Sequence, residues 1–197
     1  MGNREALIEG AKTCLLQKGY SRTTARDIAT EAGVSLAAIG YHFGSKEALL
    51  NQAMRELLID EWAGEVGGAI SARAAGGGPR EQFVATWGRI ADSLSNPRLK
   101  ALWATQFEVL SLGGSMPELV ADLSKMQGEA RDGLAQMFGG VDADTDPETT
   151  RAVGSFLQAL LLGVVALNMF DPGSAPTGED LADSIRGVAG RLTAGGA

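Results

Sequence analysis

Six side chains in one short stretch could each hold a phosphate oxygen: Thr23, Thr24, Ser35, Tyr41, His42 and Lys46. Hydroxyls, a lysine and the N–H groups at helix starts are what proteins use to fix a phosphate backbone in register. Between Ser35 and Tyr41 runs Leu36-Ala37-Ala38-Ile39-Gly40, with no Arg, Lys, Asn or Gln to make bidentate contacts to base edges. Residue by residue the ordinary readings stay open. His42 and Tyr41 could be satisfied locally at a helix end, and Lys46 alone could be a solvated lysine.

These groups can converge only if short helices and a tight turn position them. A helix is expected over 4–18, with Leu7, Ala11, Cys14 and Leu15 on one face and Gly19 as its stop. A second runs over 25–32, opened by the T-x-x-D pair Thr24 and Asp27 and stopped by Gly33. A third begins after Ser35 and ends near His42, and a fourth begins after Ser45. Helix, sharp turn through Ala32-Gly33-Val34, and second helix make a helix-turn-helix. Ile28, Ala29, Val34 and Ile39 supply its seam, and Gly33 the backbone freedom of the turn. Phe43 is expected in the core, as is Cys14 in preference to a redox role.

Taken together, TTARDIATEAGVSLAAIGYHFGSKEALL, residues 23–50, resembles the DNA-binding domain of a TetR-family transcriptional regulator. The resemblance rests on the turn, the Tyr41-His42-Phe43 end of the third helix and the Ser45-Lys46-Glu47 start of the fourth, all at the right spacing. It implies an all-α fold with an N-terminal three-helix DNA-binding domain and a C-terminal helical domain that binds a ligand and dimerises through its last two helices. By resemblance, Thr24 caps the second helix near a phosphate, and Ser35 begins the part aimed into the major groove. Tyr41 and His42 face phosphates, as does Lys46. Gly40 departs from the pattern, because the family commonly carries an aromatic there. Leu36, Ala37 and Ala38 are then expected to act by close approach and contact with thymine methyls, with Ser35 and Arg26 as the polar contacts and phosphates supplying much of the affinity.

The net charge of −7 argues against nucleic acid at first sight. Residues 1–47, however, carry +1 and the remainder −8, so the acidic excess lies outside this segment. A single cysteine permits no intramolecular disulfide and fits a reducing compartment. The charged, amphipathic start has no apolar signal region, and the most apolar stretch, 153–170, reads as too short in its uninterrupted core to cross a membrane. A soluble cytoplasmic protein is expected, with no membrane partner.

Beyond residue 46 the periodicity stays helical. Gly- and Pro-rich breaks fall at 74–79, 113–114, 139–147 and 171–173. Trp87, Trp103, Phe107, Met116 and Met126 suit the lining of an apolar small-molecule cavity, with Gln106, Glu108 and Gln158 as polar groups. Plain core is the alternative for each. Glu108, if buried, would favour a cationic or hydroxylated ligand. The helix from Pro147 to about Phe170 carries a small-residue stripe, Ser155, Ala159 and Gly163, beside Leu160 and Leu167. Apolar on every side, it must be buried on most of them, and a subunit interface is the economical place. Leu181, Ile185 and Val188 of the last helix could complete a two-fold four-helix bundle.

No nucleophile elbow, no Cys/His metal spacing and no phosphate-binding glycine loop is present, so no cofactor and no metal is expected. The expected protein is a ligand-responsive regulator, most simply a repressor. Residues 1–46 read a palindromic double-stranded operator and residues 47–197 sense a small molecule and form a homodimer. An all-α enzyme, or a small-molecule binder without a DNA role, is the alternative.

Overall fold

The computed structural model describes residues 2–73, 77–112, 117–141 and 143–194, with side chains for all of these except 61–73, 117–120, 122, 123 and 139. Among the described residues there are nine α-helices and no strand: α1 Asn3–Lys18, α2 Ala25–Ala32, α3 Ala37–Phe43, α4 Lys46–Arg73, α5 Pro79–Ser93, α6 Pro97–Leu112, α7 Pro117–Leu134, α8 Pro147–Phe170 and α9 Gly178–Ala194. A π-helical turn, Ala135–Gly139, follows α7 and ends at Gly140 in the left-handed region. The breaks at 74–76 and 113–116 lie outside the described residues, and Met116 with them.

Packing divides the chain into two compact units, Met1–Ala63 with Pro97–Gly128, and Gly64–Asn96 with Glu129–Ala197. In the first, Leu7, Ala11 and Leu15 of α1 meet Ile28 of α2, Ile39 of α3, Leu49 and Leu50 of α4, and Leu99, Leu102 and Val109 of α6 in one buried core. Full burial of each large side chain contributes about 1.5–3 kcal/mol. Helix α6 therefore shares a core with the N-terminal helices, although it lies far beyond residue 46 in sequence. Cys14 is buried in this core, as expected, and Phe43 packs against it with Arg4 5.4 Å above its ring.

Two features of this unit are not evident from periodicity. A Cβ on Gly10 would come within 3.0 Å of the Ala32 backbone and 3.1 Å of the Ile28 carbonyl, so α1 and α2 cross where α1 has no side chain. Lys12 is buried, yet its ammonium lies 2.9 Å from Glu9, 3.1 Å from Glu56 and 3.2 Å from Asp60. Burial alone would lower its pKa. The three carboxylates more than offset that, raising it above the ordinary lysine range and tying α1 to α4.

In the second unit Trp87 of α5 is buried between Phe83, at 5.7 Å, and Phe138 of the π-helical turn, at 5.8 Å. Glycines permit two close approaches here: Gly154 of α8 lies against the Arg131 carbonyl and Gly178 against the Val84 carbonyl. Arg80 of α5 pairs with Glu179 at 2.6 Å and Asp183 at 2.8 Å, fastening α9. Thr177 and Asp180 cap α9 reciprocally, as their spacing predicts.

Helix α8 corrects one expectation. It is long and apolar enough to cross a membrane by length and composition, contrary to the reading of 153–170 as too short. Leu157, Leu161, Val164 and Val165 are buried within the unit, while Phe156, Leu167 and Phe170 are exposed. Length and composition make weak evidence for a span, since the core helix of a soluble protein passes the same test.

Candidate nucleic-acid interface

The helix-turn-helix is built by caps. Thr24 Oγ1 accepts from Asp27 N at 3.1 Å, and Asp27 Oδ2 accepts from Thr24 N at 2.9 Å, which fixes the first residue of α2. Lys18, at the end of α1, reaches the same carboxylate at 2.6 Å. That lysine, followed by the Thr24 hydroxyl and N–H, holds Asp27 well below the ordinary carboxylate range. At the other end Gly33 takes φ 66° and ψ 28°. Gly33 N donates to Thr30 O and Val34 N to Ala29 O, the paired bonds of a Schellman turn. The freedom expected of Gly33 is used.

Helix α3 begins after Ser35, as expected. Ser35 does not cap it with its side chain. The helix begins at Ala37, and its entry is tightened by Ala38 N to Ser35 O and Ile39 N to Leu36 O bonds. Ile39 is buried and anchors the helix, while Leu36 is 52% and Tyr41 86% exposed. Ser35 and Ala37 are exposed as well. The Tyr41 and His42 rings meet edge to face at 4.8 Å. A Cβ at Gly40 would touch nothing within 4 Å, so a larger side chain would have room there. Gly44, with φ 77°, breaks the chain, and Ser45 Oγ accepts from Ala48 N to start α4.

Lys46 is half-buried, with Nζ 3.2 Å from Thr23 O and 3.4 Å from Glu47. Arg26 and Thr24 are exposed on α2. Thr23 needs correction as a phosphate donor. It is fully buried, and its hydroxyl donates to Gly19 O at 2.6 Å and Cys14 O at 3.3 Å, so it closes the α1–α2 corner from inside.

Glu108 also has a different place from the one expected. Its two carboxylate oxygens accept from Tyr20 N at 2.9 Å and Ser21 N at 3.0 Å, in the corner between α1 and α2. Partial burial pushes its pKa up, but bonds from the Ser21 side chain, Ser21 N and Tyr20 N outweigh it and hold the group ionised below its usual range. The remaining ligand candidates divide between the units. Trp103, Gln106, Phe107 and Met126 belong to the first, Trp87 and Gln158 to the second. In the second unit, Trp87 Nε1 and Thr150 Oγ1 are buried without a hydrogen-bond partner among the described residues. Of the interface candidates, Ser155, Ala159, Gly163, Leu167 and Val188 are exposed in the single chain, and Leu160 and Ile185 are half-buried. Leu181 is corrected: it is buried within its own unit and cannot lie open to a partner.

The fold, with its capped α2 and outward-facing α3, defines an all-α helix-turn-helix protein. Residues 7–53 match the model of the tetR family of bacterial regulatory proteins. Over this segment, from α1 into α4, the chain is similar to that family. It is 31% identical over 111 residues to the HTH-type transcriptional regulator BetI of Paraburkholderia phymatum, covering 56% of this chain and 47% of that protein. It is 37% identical over 59 residues to the HTH-type transcriptional repressor KstR2 of Rhodococcus jostii, covering 30% of this chain and 29% of that protein. These curated relatives are thus matched over less than half of their own length. A solved transcriptional regulator of Rhodococcus sp. Rha1 has the same fold, with a TM-score of 0.65 at 21% identity over 98% of this chain and 96% of that one. The all-α enzyme alternative finds no support in these likenesses.

Proposed function

We propose that the chain is a DNA-binding transcriptional regulator in which residues 1–46 read a palindromic operator. The observation that carries this reading is the capped helix-turn-helix, which leaves Leu36, Ala37 and Tyr41 open to solvent while Ile39 anchors the helix. Leu36 and Ala37 meet base edges, and Ser35 and Arg26 add the polar contacts. Tyr41, His42 and Lys46 hold phosphates, while Thr24, whose hydroxyl and N–H both donate to Asp27, fixes the start of α2. Thr23 supports the corner from within.

Residues 47–197 dimerise and sense. The apolar exposure of Leu167, on the same α8 stripe as Ser155, Ala159 and Gly163, and of Val188 on α9 favours a homodimer through α8 and α9. Two α3 helices about one helical turn of DNA apart then enter successive major grooves. Buried indole and hydroxyl groups without partners among the described residues, Trp87 Nε1 and Thr150 Oγ1, favour a small apolar effector bearing a hydrogen-bond acceptor. Such a ligand, bound better by a differently spaced dimer, releases the operator, so the protein acts as a cytoplasmic repressor.

The test is selection of duplexes from a random pool by the full chain, followed by footprinting. A palindromic, salt-sensitive preference is expected. A chain that enriches no sequence would refute the reading.

A further inference from the structure

We propose that Glu108 is a positioning residue through which α6 sets the DNA affinity of the helix-turn-helix, by clamping the corner between α1 and α2. This rests on the DNA-binding role proposed above. The corner carries Thr24, which caps α2, and Thr23, whose carbonyl takes Lys46. Whatever holds residues 19–24 therefore holds the frame of the candidate phosphate contacts.

Three helices grip that corner. From within, Thr23 Oγ1 bonds the end of α1. From α4, Asn51 Oδ1 accepts from the buried Tyr20 hydroxyl at 2.9 Å. From α6, Glu108 takes the successive N–H groups of Tyr20 and Ser21, one on each oxygen. The backbone is shaped for this contact. Gly19 adopts φ 79°, and a Cβ there would lie 2.6 Å from Glu108 Oε2. One turn earlier on α6, Thr105 Oγ1 donates to Leu15 O at 3.3 Å, so α6 follows the end of α1 on to the corner. Helix α6 also bears Trp103, Gln106 and Phe107, within five residues of the clamp. Any shift of α6 is delivered directly to two backbone N–H groups of the reading head.

Glu108→Gln keeps size but offers one acceptor oxygen in place of two. Amide hydrogen exchange at Tyr20 and Ser21, measured on the free full chain, is expected to lose about tenfold protection at one of the two sites. Affinity for a duplex selected by the wild-type chain is expected to fall about tenfold, with the salt dependence unchanged because the number of phosphate contacts is unchanged. Glu108→Asp, which keeps the charge but falls short by one methylene, is expected to lie between the two. Val109→Ala, a cavity in the same helix and core, separates positioning from loss of stability. It should lower the melting temperature while leaving Tyr20 and Ser21 exchange and duplex affinity near wild type. Unchanged exchange and affinity in Glu108→Gln would overturn the proposal, as would an equal affinity loss in Val109→Ala. Should the wild-type chain select no duplex, the regulator reading fails on that result alone, and the exchange comparison still decides whether the clamp exists.

Discussion

Lys46 Nζ lies 3.2 Å from the carbonyl oxygen of Thr23, so the lysine that opens α4 is tethered to the corner that opens α2. One donor is spent on that carbonyl and a second faces Glu47 at 3.4 Å, which leaves one for an anion. Lys46→Met should weaken binding to all duplexes alike and reduce the slope of log affinity against log salt by about 1. Titrations at several salt concentrations read this directly. An unchanged slope would remove Lys46 from the phosphate contacts.

Leu36 should behave in the opposite manner. It is half-exposed at the entry to α3, where no side chain can make a bidentate base contact. Leu36→Ala should relax the preference at a T·A step in each half-site, seen by repeating the selection with the variant. Equal losses across all sequences would contradict a thymine-methyl contact.

The Lys18–Asp27 pair makes stability depend on pH. Asp27 is held below its ordinary range, so its contribution is present above the unfolded carboxylate value and is lost as pH falls through the lower folded value. Asp27→Asn should therefore lower the melting temperature at pH 7, and the gap to wild type should shrink below about pH 4. Both partners are partly exposed, so screening keeps the effect small. A gap that persists unchanged into acid would exclude the ion pair as its source.

Gly154 offers a reversal of helix propensity. Alanine ordinarily stabilises a helix interior by about 1 kcal/mol over glycine. At Gly154 a Cβ would collide with the backbone of Arg131, so Gly154→Ala should destabilise by about 1–3 kcal/mol in denaturant titrations. Gly88→Ala in α5, where a Cβ meets nothing within 4 Å and no proposed dimer contact lies, serves as the control.

Dimerisation can be tested at Val188, which is 54% exposed. Val188→Glu should leave the helical circular dichroism intact and shift the light-scattering mass at micromolar concentration from dimer to monomer. A mass unaffected by the substitution would move the interface elsewhere.

Most of the N-terminal architecture was legible because caps and stops are local. Thr24 with Asp27, Gly33, Ser45, and Thr177 with Asp180 each act within a few residues, and each does what its spacing predicts. What escaped was non-local. Gly10 reads as a weak helix residue until α2 is laid across it. Lys12 reads as a surface lysine until Glu56 and Asp60 arrive from α4. Thr23 differs from Thr24 by one position, yet one hydroxyl is buried and the other exposed, because only one faces back toward the end of α1. Glu108 looked like a polar group for a cavity. Its partners are backbone N–H groups 87 and 88 residues away, which carry no side-chain signature.

The meeting of Gly19 and Glu108 bears on modularity. A hybrid protein made by grafting residues 1–46 onto another helical body would import a corner whose two N–H groups lack their carboxylate. The reverse graft, placing this body under a head with a side chain at position 19, would set a Cβ against that carboxylate. Head and body are exchangeable only if this pair travels together, so a functional chimera has to carry its junction across the two segments and cannot be cut at residue 46.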